Sequence, residues 1–439
     1  MFELSILPPD LRHLTQTQLD VRQLGHARLP SPLTHSHLGS DGARVLASVE
    51  AGEPLGLSFE KAGPRRELFF EPSQTRVGIV TCGGLCPGTN SVIRSAVLQL
   101  HHAYKVKEVL GFRFGFEGLS AAHGAAPISL TPELVSNIHL SGGSLLGFGR
   151  GAQSAAAMVQ RLRELEVSAL IVIGGDGTLR GGHAIAEEAA RVGFNLSVVG
   201  VPKTVDNDIP FVDRAFGFDT AVERALEALK AAHVEATSAR RGIGVVKLMG
   251  REAGFICAQA TLASLDVNFC LIPEVPFELE GARGLLASLE ARLMRREHAL
   301  IAVAEGCGLA LEHAQAERDA SGNLRFGSGA LDIGPPLCER IKHHFERKQA
   351  PVTLKYIDPS YMIRSVPPNA SDNRYCELLA SHAVHAALAG KTDLVIGHLN
   401  GSFVHVPLEL VSAHKRRIAE DGELWFAVAS TTGQPALRA

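Results

Sequence analysis

The feature that most constrains the fold is a unit that recurs along the chain: a short apolar run, a glycine-rich or polar turn, and then a helical pattern. Strands of parallel sheets that are buried on both faces read as continuous apolar runs. The pattern therefore predicts an α/β architecture, with the turns at the carboxyl ends of the strands, where such sheets bind ligands. The runs lie at residues 77–80, 169–173, 197–201, 243–248 and 299–304.

Length and composition limit the classes of protein to consider. At 439 residues the chain is long enough for two or three domains. Its formal net charge of −3 lacks the positive excess of a nucleic-acid binder, and no stretch approaches the ~20 apolar residues of a membrane span. The seven cysteines lie mostly inside apolar runs and lack zinc-type spacing. They are predicted to be reduced core residues of a cytoplasmic protein.

The first part of the chain lacks the recurring unit. Residues 1–72 are rich in Leu, Pro and His, and the pattern changes only from Thr75 onward. Residues 1–72 are therefore predicted to form an N-terminal extension ahead of the main fold.

The first glycine cluster, at residues 83–90, lies between a predicted strand and a predicted helix. Glycines let backbone N–H groups face an anion, and the start of a helix adds a favourable dipole. The loop is not a Walker loop, because no Lys-Ser or Lys-Thr pair follows it. Taken alone, it is equally consistent with a phosphate site and with a simple chain reversal.

The second cluster is Gly-Gly-Asp-Gly-Thr at residues 174–178. Asp176 offers a hard oxygen ligand for Mg²⁺, and Thr178 adds a hydroxyl donor. The same string occurs in lipid and NAD kinases. It therefore indicates a kinase that uses a nucleotide more firmly than it names the acceptor.

The third cluster, Pro-Lys-Thr-Val-Asp-Asn-Asp at residues 202–208, places two carboxylates two positions apart on an extended turn. One of Asp206 and Asp208 can accept a proton from an attacking hydroxyl while the other helps to position a metal or the base, as phosphoryl transfer requires. The alternative is a polar turn whose Asp side chains cap backbone N–H groups. The kinase motif about thirty residues upstream favours the catalytic interpretation.

These ordered motifs resemble the phosphofructokinase family, particularly its plant- and trypanosome-like branch, from about Thr75 to Pro407. The resemblance implies two similar three-layer α/β/α domains with mostly parallel sheets and the active site in the cleft between them. Residues 73–218 plus 364–414 would form the nucleotide domain. Residues 219–363 plus 415–439 would form the domain that binds fructose 6-phosphate. A homodimer or homotetramer is expected.

The resemblance also assigns roles. Asp206 would be the general base, with Asp208 and Thr204 beside it. Asp176 would hold Mg²⁺, and Arg251 would stabilise the transferring phosphoryl group, which suits a planar guanidinium. The ATP site would be lined by Gly83, Gly84, Arg150, Gly175, Gly177 and Thr178.

On the sugar side, the family pattern points to residues at the ends of the later predicted strands. Glu305 would accept hydrogen bonds from sugar hydroxyls, although on its own it reads as a strand-end surface carboxylate. Tyr361 on its own would be explained by packing. The expected set for fructose 6-phosphate is Thr204, Asp206, Met249, Gly250, Arg251, Glu305, Lys355, Tyr361 and Arg364.

Two positions bear on the phosphoryl donor. Family members that use pyrophosphate typically carry Asp where this chain has Gly177, and an Asp there would crowd and repel the α-phosphate of ATP. Lys203 is the residue typical of pyrophosphate enzymes, yet the plant- and trypanosome-like ATP enzymes also combine it with Gly. ATP is therefore the expected donor. The pyrophosphate-dependent reaction is the alternative, and a catalytically silent sugar-phosphate sensor is a weaker one.

Two departures concern features of the simpler bacterial enzymes. Gly242, beside Arg241, stands where those enzymes have an arginine that reaches the sugar phosphate of a neighbouring subunit. Arg94 fits the first of their two effector-site arginines, but Leu98 occupies the second. The intersubunit contact and the allosteric control are therefore not carried over.

Overall fold

The computed structural model describes residues 18–33, 42–47, 57–120, 126–149, 151, 153–307, 317–318, 324–325, 333–413 and 415–438. In this part of the chain the strands form two main sheets and three two-stranded pairs. None of the helices described there has the length and apolar character needed to cross a bilayer.

The first half of the chain begins with short strands and continues with the strand–turn–helix units that the apolar runs predict. Its elements are β1 (Gln18–Leu19), β2 (Arg22–Gln23), β3 (Leu29–Pro30), β4 (Arg44–Leu46), β5 (Ser58–Lys61), β6 (Glu67–Leu68), β7 (Arg76–Thr81), α1 (Thr89–Leu98), β8 (Glu108–Phe112), β9 (Ile128–Ser129), α2 (Ala155–Glu164), β10 (Val167–Gly174), α3 (Asp176–Arg191) and β11 (Ser197–Pro202).

The next part of the chain builds a second set of alternating helices and strands. Its elements are α4 (Phe218–Thr237), β12 (Gly242–Leu248), α5 (Phe255–Ser264), β13 (Phe269–Leu271), α6 (Leu285–Arg296), β14 (His298–Ala304), β15 (Glu317–Arg318), β16 (Leu324–Arg325), α7 (Gly334–Arg347), β17 (Thr353–Ile357) and α8 (Ser360–Arg364).

The last part returns to the first sheet and then crosses back. Its elements are α9 (Ala370–Leu388), β18 (Lys391–Thr392), β19 (Leu394–Leu399), β20 (Ser402–Pro407), α10 (Leu408–Ala413) and α11 (Glu423–Thr432).

The large sheet has ten strands among the described residues, in the order β1-β5-β20-β19-β11-β10-β7-β8-β9, with β4 paired to β5. Its centre is parallel, from β19 through β11, β10 and β7 to β8. The second sheet, β13-β14-β12-β17, is parallel throughout. The α/β class, the mostly parallel sheets and the five strands predicted from apolar runs are confirmed.

Helices cover both faces of the large sheet, as continuous apolar strands require. Along β10, Ile171 packs in one core cluster with residues of α1 and α9, whereas its neighbour Leu170 packs in another with residues of α2 and α3. The first cluster continues through α4 to Val245 of β12. The two sheets thus share one core, and the division into domains stays a prediction.

The segment predicted to be an N-terminal extension adds strands to the large sheet. β5 pairs antiparallel with β20, with Glu60 opposite His405, and β1 and β4 pair with β5. Phe59 is fully buried, and its ring centroid lies 5.1 Å from that of Phe211. Antiparallel strands need no crossover helix. This explains the absence of a strand–helix rhythm around β4 and β5, whereas β1 pairs parallel with β5.

Candidate active site

A cleft of about 350 Å³ opens where strands of the two main sheets end. The turns after β7, β10 and β11 contribute one wall, and the turns after β12 and β14, with α8, contribute the other. Its lining residues are Gly83, Gly84, Leu85, Gly175, Asp176, Gly177, Thr178, Lys203, Thr204, Val205, Asp206, Asp208, Lys247, Met249, Arg251, Glu252, Glu305, Asp358, Ser360, Tyr361, Arg364 and Lys415.

The turn after β7 brings backbone to the edge of the cleft. Gly83 has φ +87°, a left-handed conformation that favours glycine. Lys203, almost fully buried, donates from Nζ to the carbonyl oxygen of Gly84 at 2.7 Å. The first glycine cluster and the third polar cluster are therefore in direct contact, which their sequence positions alone do not reveal.

The Gly-Gly-Asp-Gly-Thr turn forms the start of α3. Gly175 precedes the helix and Asp176 is its first residue, so Gly177 and Thr178 lie in the first turn. The first N–H groups of a helix have no partner within it and, with the helix dipole, suit a phosphate. This arrangement supports the anion site that the motif predicts.

Asp176 faces the cleft at the start of α3. Arg180, one turn later, donates from Nη1 to both carboxylate oxygens, at 3.1 and 3.0 Å. Burial raises the pKa of Asp176, and Asp208 adds to the rise, although Arg180 and Lys415 oppose it. A partly buried carboxylate with further carboxylates in the same cleft has the hard oxygen chemistry that Mg²⁺ prefers. The residues present thus fit a magnesium ion.

The loop after β11 carries the two predicted catalytic carboxylates. Thr204 ties them together, because its Oγ1 accepts from the backbone N–H of Asp206 at 3.2 Å and donates to Oδ1 of Asp208 at 2.7 Å. Asn207 between them has φ +55°, a conformation that Asn tolerates better than most residues, and its Oδ1 accepts from Ala215 N at 2.7 Å. Local hydrogen bonds therefore fix the separation of the two carboxylates.

Asp206 has the most unusual environment in the cleft. Within the described residues its buried Oδ1 accepts no hydrogen bond. Burial, together with the negative charges of Asp208 and Glu305, raises its pKa, although Lys415 and Arg251 oppose the rise. A buried carboxylate with an open lone pair is what a general base needs when a hydroxyl is delivered to it.

The turn after β12 provides the guanidinium. Arg251 donates from Nε to Oε1 of Glu305 at 3.1 Å. Gly250 has φ +127°, and an added Cβ would lie 2.5 Å from the carbonyl oxygen of Ala253. The Gly250 carbonyl accepts from Gly306 N at 2.9 Å. Glycine is therefore required where the turns after β12 and β14 meet, and this contact brings Arg251 to Glu305.

The short helix α8 closes the second wall of the cleft. The guanidinium of Arg364 lies 4.8 Å from the centroid of the Tyr361 ring, which is largely exposed. Asp358 accepts from Ser360 and forms an ion pair with Lys247 at 2.6 Å. Burial would raise the pKa of Asp358, but the hydrogen bonds from Lys247 and Ser360 lower it overall.

Most of the predicted site residues line this cleft, two described ones do not, and a third is not described. Arg150 lies outside the described residues. Gly250 acts through the backbone contact to Gly306 rather than by lining the cleft. Lys355, on β17, is not a lining residue, and its Nζ lies 3.5 Å from Glu235 of α4. Side chains alternate along a strand, so its position on β17 did not determine which face it occupies.

Several residues that line the cleft were not predicted from the sequence. Lys247 had a signal, since it is a single charge inside the apolar run of β12, where a buried lysine needs a partner. Lys415 had none, because it lies in a polar stretch near the C-terminal end. The other missed residues are Leu85, Val205, Glu252, Asp358 and Ser360.

Several known proteins are similar to this chain over most of its length. An ATP-dependent 6-phosphofructokinase of Borreliella burgdorferi is 43% identical over 434 residues, which cover 94% of this chain and 96% of the relative. One of Trypanosoma brucei brucei is 45% identical, covering 96% and 88%. One of Arabidopsis thaliana is 45% identical, covering 88% and 81%.

A solved structure described as a pyrophosphate-dependent phosphofructokinase from Marinobacter aquaeolei aligns with a TM-score of 0.66 and 20% identity, covering 83% of this chain and 92% of that one. At that identity the likeness concerns the fold alone. The family model described as phosphofructokinase matches residues 76–387. The residues that line the cleft, the extent of that match and the identity to the relatives lead to one conclusion: the chain belongs to the phosphofructokinase family.

Proposed function

We propose that this chain is an ATP-dependent 6-phosphofructokinase, which phosphorylates the 1-hydroxyl of D-fructose 6-phosphate to fructose 1,6-bisphosphate in glycolysis. One observation carries the proposal: Asp206, Asp176 and Arg251 line one cleft. A proton acceptor, a ligand for a divalent cation and a guanidinium are the groups that phosphoryl transfer needs around one phosphorus atom.

On the acceptor side, Asp206 takes the proton of the sugar 1-hydroxyl as that oxygen attacks the γ-phosphorus of ATP. The bond from phosphorus to the β,γ-bridging oxygen breaks, and ADP leaves. Asp206 accepts the proton as a carboxylate, and its raised pKa makes that carboxylate a stronger base than an exposed aspartate. Thr204 and Asp208 hold the loop in place through the hydrogen bonds described above.

On the donor side, the turns at Gly83 and Gly84 and the start of α3 offer backbone N–H groups to the phosphates. Arg251, which lines the same cleft, neutralises charge on the transferring group. Asp176 would hold Mg²⁺, which supplies charge neutralisation on the phosphates when it is bound. Arg180, already paired with Asp176, orients that carboxylate.

The sugar phosphate is assigned to the wall formed by the turn after β12 and by α8. Glu305 accepts from sugar hydroxyls, and Arg364 with Tyr361 holds the 6-phosphate, while Met249 contacts the sugar. Lys355 is given no role in this cleft, because it lies beside Glu235 instead.

Gly177 supports ATP as the donor, since it leaves room where an aspartate would repel the α-phosphate. The relatives over 40% identical that are described above carry ATP-dependent in their names. The alternative donor is pyrophosphate. A catalytically silent sensor is less favoured, because none of Asp206, Asp176 and Arg251 is missing from the cleft.

A coupled assay at equal concentrations of ATP and pyrophosphate tests the donor. We expect turnover of fructose 6-phosphate to be at least about 10-fold faster with ATP, and Gly177→Asp to lower kcat/KM for ATP by about 100-fold, as expected when a charge is brought against phosphate. Ala184→Asp is the control, because it adds the same charge on the exposed face of the same helix. Faster turnover with pyrophosphate in the wild type would refute the donor assignment.

Three further assignments belong to the proposal. The protein binds Mg²⁺ through Asp176, forms a homodimer or homotetramer, and works in the cytoplasm without nucleic acid or membrane as a partner. Light scattering measures the molar mass in solution and so tests the assembly. A monomeric mass would contradict it.

A further inference from the structure

We propose that Lys415 is a positioning residue for phosphoryl transfer, holding Asp208 and through it the loop that carries the base Asp206. The inference deepens the proposed function and rests on it. Neither the motifs nor the assigned roles include Lys415, which follows α10 near the C-terminal end of the chain.

The side chain of Lys415 lies between carboxylates from the two walls of the cleft. Its Nζ is 3.4 Å from Oδ2 of Asp208, on the turn after β11, and 3.1 Å from Oε1 of Glu252, on the turn after β12. Its side chain is only 16% exposed, and that of Glu252 is 6% exposed. Lys415 is thus a largely buried cation. It joins the wall that contains the turn after β11 to the wall that contains the turn after β12.

The backbone around Lys415 makes the same connection. Arg416 N donates to the Asp208 carbonyl at 2.8 Å, and its Nη1 donates to the Asp213 carbonyl at 2.8 Å. Ile418 N donates to Oε1 of Glu274, which also accepts from Gly254 N. Residues 415–418 therefore bridge the loop at 204–213 and the turn after β12.

Hydrogen bonds carry the position of Asp208 to Asp206. Oδ1 of Asp208 accepts from Thr204, whose hydroxyl accepts from Asp206 N, while Oδ2 of the same carboxylate faces Lys415. The ammonium also lies within 3.4 Å of carboxylate oxygens of both Asp208 and Glu252. Without it these carboxylates repel one another, and the loop loses one of its links to the opposite wall.

Loss of the Lys415 charge should therefore act on the chemical step more than on substrate binding. A base displaced by about 1 Å can cost about 100-fold in rate. Lys415 touches neither of the groups assigned to the sugar phosphate, Arg364 and Tyr361, so we expect KM for fructose 6-phosphate to change little.

The test compares Lys415→Met, Lys415→Arg and the control Arg417→Gln. Arg417 belongs to the same segment and lies 3.6 Å from Glu252, but its side chain is 60% exposed. We expect Lys415→Met to lower kcat by about 30- to 100-fold with KM values within about 3-fold. Lys415→Arg should recover most of kcat, and Arg417→Gln should stay within about 2-fold of the wild type.

A second measurement needs no turnover. Hydrogen–deuterium exchange of peptides covering residues 204–213 should be faster in Lys415→Met than in the wild type or in Arg417→Gln. If the methionine variant does not fold, Lys415→Gln replaces it with the same expectations, since it also lacks the charge.

The outcomes separate the two proposals. A Lys415→Met enzyme with kcat within about 3-fold of the wild type and unchanged exchange at 204–213 overturns the role of Lys415. Equal kcat losses in the methionine and arginine variants would also overturn it, because packing rather than charge would then matter. A wild type inactive on fructose 6-phosphate refutes the proposed function, whereas the exchange data still decide whether Lys415 holds the loop.

Discussion

At the scale of single residues, two aspartates two positions apart occupy different surroundings. Asp208 accepts from Thr204 and faces Lys415, whereas the buried Oδ1 of Asp206 accepts no hydrogen bond from the described residues. Environment, rather than residue type, divides roles between paired carboxylates. The loop therefore offers one carboxylate for proton transfer and uses the other to hold its shape.

Asp206→Asn tests the base. Because an amide cannot accept the hydroxyl proton, we expect kcat to fall by about 10²- to 10⁴-fold while fructose 6-phosphate still raises the thermal-unfolding midpoint. Asp213→Asn is the control, since it lies on the same loop but does not line the cleft. Turnover close to that of the wild type would remove Asp206 from its role.

At the scale of elements, the N-terminal ends of α4 and α9 meet at one buried carboxylate. Asp372, fully buried in the first turn of α9, accepts at Oδ2 from Thr220 N at 2.8 Å and from its hydroxyl at 2.6 Å. Asn369 caps α9 by accepting from Asp372 N at 2.9 Å. Negative charge is favourable at a helix start. Asp372 therefore links α4, which packs against the second sheet, to α9, which covers the large sheet.

Asp372→Ala should destabilise the protein by about 2–3 kcal/mol, because it leaves two buried donors of Thr220 without a partner. Urea unfolding measured by circular dichroism checks this through a lower midpoint. Glu227→Gln on α4 is the control, since it removes only an exposed ion pair with Arg224. An unchanged midpoint in Asp372→Ala would mean that the two helices meet without help from this carboxylate.

At the scale of the whole molecule, a buried charged group ties the N-terminal strands to the large sheet. Glu60 of β5 is paired with Arg65 at 3.0 Å and Lys391 at 3.1 Å, and lies 3.3 Å from Nδ1 of the fully buried His405 on β20. Burial alone would raise the pKa of Glu60, but the hydrogen bond from His405 and the surrounding cations hold it well below its usual range.

Two histidines of α9 lie nearby. Burial, the largest cause, lowers the pKa of His382 to about 4 and that of His385 to about 3. Nδ1 of His385 is 2.7 Å from the hydroxyl of Tyr104. These imidazoles stay neutral in the folded protein but bind protons in the unfolded chain below pH ~6.5.

Stability should therefore fall as the pH drops from about 6.5 to about 4, since the unfolded state takes up protons that the folded state refuses. The lowered pKa of Glu60 adds to this fall below pH ~4.5. The raised pKa of the buried Asp206 offsets part of the fall, because the folded protein holds a proton that the unfolded chain has released. Urea midpoints at pH 8, 7, 6 and 5 measure the slope. His385→Asn should make it shallower, whereas His102→Asn, at an exposed position, should leave it unchanged. A slope of zero between pH 7 and 5 contradicts this account.

Local sequence patterns are enough to predict the parallel strands and the turns at their carboxyl ends, and with the family resemblance they predict most of the cleft. Apolar periodicity reports burial along a segment, and three motifs marked the turns that hold Gly83, Asp176 and Asp206. The resemblance added Arg251 and Glu305, which no local pattern distinguished from ordinary turn residues. Each of these residues follows a buried strand, so the position of the strand determines where the residue lies.

Contacts between segments far apart in the chain could be found only in the folded protein. Lys415 reaches Asp208 and Glu252 across more than 150 residues, and Glu60 reaches His405 across 345. Lys355 illustrates a second limit. Predicting the element in which a residue lies does not tell which way its side chain points, and this one lies beside Glu235. Periodicity records how each residue is buried but not which distant segment buries it. The links between the walls of the cleft therefore arise only when the chain is folded.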